Sequence, residues 1–129
     1  MTADDFREIA LSMDGASERA HMGHPDFRAN GRIFASLHAT EKSGTVKLPP
    51  DEQRELLRIH PKTFTPASGA WGRQGWTSIL LDGADRAAVR GAITLAWQDV
   101  ARQAPGRASR KSGTSAGRRR AQRTKRTRT

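Results

Sequence analysis

Cysteine is absent from the 129 residues, so disulfides and thiolate metal sites are both excluded. No run approaches the ~18 apolar residues that a membrane-spanning helix needs. The opening residues, MTADDFREIALSMDG, carry acids where a secretory signal requires a basic start, and their apolar residues are spaced. A soluble, cytoplasmic protein is the expectation. Acids are also missing beyond Asp99: all 13 lie at or before it, beside 12 of the 23 Lys and Arg. Residues 1–101 therefore carry a net charge of about −1, and 11 cations with no acid follow them. The formal charge of +10 belongs to the tail and says little about the folded body.

What is present reads as one small domain, residues 1–101, and a basic extension, residues 102–129. A helix is predicted from about residue 3 to 13. Thr2 and Asp5 have capping-box spacing, and Phe6, Ile9, Ala10 and Met13 form one apolar stripe. Residues 17–22 form a short strand. Asn30-Gly31, between apolar/polar alternations at 27–29 and 32–38, signals a hairpin with a type I′ turn, because both central residues need positive φ. A polar loop at 39–43 leads to a strand at 44–48. Pro49-Pro50 opens a second helix that Pro61 ends near Ile59, with Leu56 and Leu57 on its buried side. An edge segment at 63–66 and a glycine-rich connection, SGAWGRQG at 68–75, precede a strand at 76–81. A last helix, capped by Asp82 or Asp85, carries Val89, Ile93, Ala96, Trp97 and Val100 on one face and ends after Ala101. The tail has almost nothing to bury and is expected to be disordered. The order α, three or four strands, α, one or two strands, α makes an α+β two-layer sandwich, an antiparallel sheet with its helices on one face.

Period-2 geometry then divides the strands. With Phe27, Ala29, Ile33, Ala35, Leu37, Val46 and Leu48 turned to the helices, Arg28, Arg32, Phe34, Ser36, His38 and Lys47 face outward, joined by Trp76. Cations interleaved with aromatics on a sheet suit phosphate neutralisation and base stacking. The competing account is an ordinary wet face, or Phe34 and Trp76 covered by a second subunit in a homodimer. His21, His24 and Asp26 form H-x-x-H-x-D, the one metal-like spacing and the only hint of a metal-dependent activity. Pro25 interrupts it and no fourth ligand is evident, so a structural role in the turn is the expectation. SGAWGRQG lacks a Walker lysine and is no phosphate loop; Trp71 within it plugs the core edge or lines a groove. Trp97 is expected in the core.

The chain resembles the MmcQ/YjbR family. The matching landmarks are the opening helix, His21-Met22-Gly23-His24-Pro25-Asp26-Phe27-Arg28, Gly31 to Leu37, Val46-Lys47-Leu48, Gly69-Ala70-Trp71-Gly72 and Ala96-Trp97, in order across residues 1–101. The resemblance implies an α+β fold of the secretion-chaperone or frataxin-like type and a DNA-binding role without enzymatic activity. It supplies no site residues, and the tail is an addition to the family pattern.

Together these readings predict a non-enzymatic DNA-binding protein of low sequence specificity that needs no cofactor and no membrane. Phosphate and base contacts are expected from Arg28, Arg32, Phe34, Lys47 and Arg73 in the body. In the tail they are expected from Arg118, Arg119, Arg120, Arg123, Lys125, Arg126 and Arg128. The alternative is a protein-interaction or dimerisation module with a polyanion-binding tail, marked by Phe34, Trp71 and Trp76 forming one apolar patch.

Overall fold

The computed structural model describes residues 1–103 except Met22 and Ala39. Arg118, Arg119, Arg120, Arg123, Lys125, Arg126 and Arg128, and the expected disorder of the tail, lie outside the described residues. Helix α1 (Ala3–Leu11) opens with the predicted capping box: the Thr2 hydroxyl accepts from the Asp5 N–H at 3.1 Å, and the Asp5 carboxylate accepts from the Thr2 N–H at 2.9 Å. Four strands follow, β1 (Ser17–His21), β2 (His24–Ala29), β3 (Arg32–Leu37) and β4 (Ser43–Lys47). Next come α2 (Pro50–Ile59), β5 (Phe64–Pro66), α3 (Gly69–Arg73), β6 (Trp76–Leu80) and α4 (Arg86–Arg102), the last capped by the Asp85 side chain.

The strands form one antiparallel sheet in the order β1-β2-β3-β4-β6-β5. The return of β6 between β4 and β5 leaves β5 at the edge, where Pro66 costs no ladder bond. The core lies on one side. Phe6, Ile9 and Ala10 of α1 and Val89, Ala92, Ile93, Ala96 and Val100 of α4 meet Phe27, Leu37, Val46, Phe64 and Ile79 of the sheet. Gly44 lets β4 approach α1, since a Cβ there would stand 2.6 Å from the Phe6 ring. Asn30 (φ 56°) and Gly31 (φ 74°) make the expected turn. The Asn30 amide also donates to the Val100 and Gln103 carbonyls, at 2.9 and 2.7 Å, and so fastens the hairpin tip to the end of α4.

Four expectations are corrected. First, residues 69–73 of the glycine-rich stretch form α3. Second, β2 pairs Phe27 with Ala35 but Arg28 with Ile33, which leaves Phe34 as an extra, unpaired residue. That β-bulge reverses the side-chain phase of β3 on its N-terminal side. Phe34 is turned into the core at 0% exposure, Ile33 shares the outer face with Arg28, and Arg32 pairs with buried Ala29 on the helix side. Third, Leu56 and Leu57 are only half-buried, and the residue α2 buries is Gln53. Fourth, Trp97 sits at the core margin, its indole N–H donating to the Asp14 carbonyl at 2.8 Å.

Candidate nucleic-acid interface

The sheet face turned from the helices is built in rows. Strand register aligns Arg19, Asp26, Ser36, Thr45, Ser78 and Thr65 across all six strands. Residues paired across a ladder share a face, so this row presents one cation, then one carboxylate, then four hydroxyls. A second row holds Ser17, Arg28 and Ile33, and farther across, Lys47 opposite Trp76. Arg28 on β2 and Lys47 on β4 are two strand spacings apart, about 10 Å. A third row, at the opposite end of the strands, includes His24, whose ring meets that of His38 edge-on at 5.6 Å.

Asp26 is the only acidic residue among the described members of this face, and it is already engaged. Arg28 grips it with both arms of its guanidinium, Nε to Oδ1 at 2.9 Å and Nη2 to Oδ2 at 3.2 Å. Residues two apart on a strand point to the same side, and this makes the fork reachable. The carboxylate side chain is 3% exposed and the guanidinium 31%. Hydrogen bonding to Asp26 holds Arg28 above its ordinary pKa. Arg19 and Lys47 have no hydrogen-bond or ion-pair partner among the described residues. The face is thus positive, with its lone negative charge internally cancelled.

At its β1–β2 end the face dips into a groove of about 270 Å³ lined by Gly15, Ser17, Arg19, Arg28, Ala29, Asn30 and Gly31. At its β6 end it rises to an aromatic pair. Trp76 is half-buried, and Trp71 on α3 meets it at 6.3 Å between ring centroids with planes 74° apart. Trp71 does not plug the core: it is 63% exposed.

Of the body residues expected to form the site, Arg28 and Lys47 lie on this face, and Arg73 is exposed on α3. Arg32 is on the opposite side and Phe34 is in the core, so neither joins them. Arg19 and Trp71 were missed as members. The signal for Arg19 was its period-2 spacing from Ser17 and His21, obscured because residues 17–20 of the strand are all exposed. Nothing in the sequence distinguishes an exposed Trp71 from a buried one. Asp26, held by Arg28, has no free carboxylate to offer beside His24, and no cluster of three or more potential metal ligands occurs among the described residues.

The YjbR family model matches residues 11–99. No curated protein matches in sequence. The chain is similar to the crystal structure of Deinococcus radiodurans protein DR2400, which carries the domain DUF419: 21% identity, a TM-score of 0.70, and 86% of each chain covered. At that identity the likeness shows the fold, an α+β sandwich. The matched span takes in every strand, α2, α3 and most of α4, and the chain belongs to the YjbR family.

Proposed function

We propose that the protein binds DNA with low sequence specificity and has no enzymatic role. One observation carries this: Arg19, Arg28 and Lys47 lie on the sheet face turned from α1 and α4, among Ser and Thr hydroxyls, with Asp26 neutralised. Such a surface offers donors to phosphate oxygens at several points and no base-reading element that enters a groove. The cations that follow Ala101 add an attraction independent of base sequence, by counterion release. The folded body alone is near neutral, so long-range attraction rests on the tail and contact geometry on the face. Family membership fits this reading at its coarsest level. The alternative, an apolar docking patch of Phe34, Trp71 and Trp76, loses Phe34 to the core.

The test is DNA binding by the full chain, wild type against Arg19→Gln/Lys47→Gln. Both residues are solvent-accessible and have no partner among the described residues, so the variant keeps its fold. Binding at low salt is expected, weakened roughly 5- to 30-fold by the double substitution, as for two lost phosphate contacts. Absence of binding to any DNA at low salt rejects the function. Undiminished affinity in the variant removes the sheet face from it.

A further inference from the structure

We infer that the Trp71–Trp76 pair is a stacking platform for unpaired bases, so that the ligand of this face is single-stranded DNA. The inference rests on the DNA-binding reading above and narrows it. Its first support is how firmly a very short helix is held. The Gln53 side-chain amide, buried beneath α3, donates to the Gly72 carbonyl at 3.0 Å, the Trp76 carbonyl at 3.3 Å and the Thr77 hydroxyl at 3.1 Å. Gly72 admits no side chain, because a Cβ would lie 2.1 Å from the Ala67 carbonyl oxygen. Gly75, at φ +107°, is pressed against the Leu48 carbonyl, which a Cβ would meet at 2.0 Å. Three positions thus hold α3 and the turn after it against α2, the segment following β5, the end of β4 and the start of β6.

The one aromatic side chain on that locked helix is Trp71, and it stands mostly in water. A tryptophan recruited for stability would bury its apolar area; this one touches only the Trp76 ring among described aromatics. The near-perpendicular meeting of the two rings leaves at least one face of the Trp71 indole open. Rigid support and an open π-face favour stacking on a flat partner, since little conformational freedom is lost on binding.

Charge chooses the partner. Lys47 stands directly across the ladder from Trp76 on the same face, whereas Arg73, two residues after Trp71, projects from another side of α3. Neither cation has a partner among the described residues. An aromatic pair with a cation beside it suits a base with its phosphate, and a purely apolar protein surface would leave the Lys47 charge to be desolvated. Duplex DNA hides its base faces, whereas single strands expose them.

The experiment compares the full chain with Trp71→Ala and Trp71→Phe against a labelled thymidine oligonucleotide, a uridine oligonucleotide and a duplex of equal length. Fluorescence anisotropy reads affinity, and circular dichroism and sedimentation read fold and oligomeric state. Expected are tighter binding to the thymidine strand than to duplex, quenching of tryptophan fluorescence, and a loss of about tenfold in Trp71→Ala for the single strand only. Trp71→Phe should retain most of the affinity. If Trp71→Ala leaves single-strand binding unchanged while DNA is still bound, stacking is wrong and the broader function stands. If no DNA is bound at all, the broader function itself fails. A strong preference for the uridine strand replaces DNA by RNA, and a dimer that Trp71→Ala dissociates without changing affinity makes the pair a subunit contact.

Discussion

Asp26 and Arg28 show why a cation on a sheet face is not automatically a cation for a ligand. The carboxylate is almost fully covered, and its charge is tolerated because both oxygens are bonded to one guanidinium. Arg28→Ala would strand it. The expected loss is about 2–3 kcal/mol in urea unfolding, below the full cost of orphaning a buried ion because Arg28 is partly solvated. The double variant Asp26→Ala/Arg28→Ala should recover much of that loss. Equal stability of wild type and Arg28→Ala would mean that Asp26 has another stabilising partner in solution. Binding experiments on the face are accordingly cleaner with Arg19 and Lys47, which have no hydrogen-bond or ion-pair partner among the described residues.

Among the elements, β3 and α1 mark two extremes of predictability. Length and composition of β3 match the sequence reading, yet the single extra residue at Phe34 exchanges the faces of Arg32, Ile33 and Phe34. A bulge is chosen by the shape of the space beneath the sheet, into which the Phe34 ring fits, and alternation along the strand does not encode it. The start of α1 was legible because a capping box is local, four residues closing on themselves. It also carries a pH dependence. The Thr2 backbone N–H, then the Thr2 side chain and Arg86, hold the Asp5 carboxyl below its ordinary value of 3.8. A depressed carboxyl contributes stability that is present above pH 3.8 and disappears as pH falls through the lower folded value. Carboxyl ¹³C titration should place the Asp5 midpoint below 3.8. A midpoint at or above that value would mean the box is open, and Asp5→Asn should flatten this part of the acid limb.

At the scale of the whole molecule, charge is separated from structure. The face supplies three cations, Arg19, Arg28 and Lys47, and the residues after Ala101 supply 11. If ~6–8 of all these reach phosphates of duplex DNA, log K should fall against log[salt] with a slope of about −5 to −7. Replacing the tail Arg and Lys by Gln should leave a slope of about −2, the share of Arg19 and Lys47, since Arg28 is held by Asp26. A slope that stays at its full value would place the contacts on the body, against its near-neutral charge. No helix among the described residues is long and apolar enough to cross a membrane.

Sequence alone determined the features that close over short distances: the α1 cap, the Asn30-Gly31 turn, the proline-opened α2, the alternation of β4 and the apolar face of α4. Each depends on neighbours within a few residues, where propensity and sterics act without help. Tertiary structure decided the rest. The bulge at Phe34, the burial of Asp26 by Arg28, the membership of Arg19 and the exposure of Trp71 all depend on packing across strands and between layers. That packing juxtaposes residues far apart in the chain, and no local spacing records which of two faces a side chain will find.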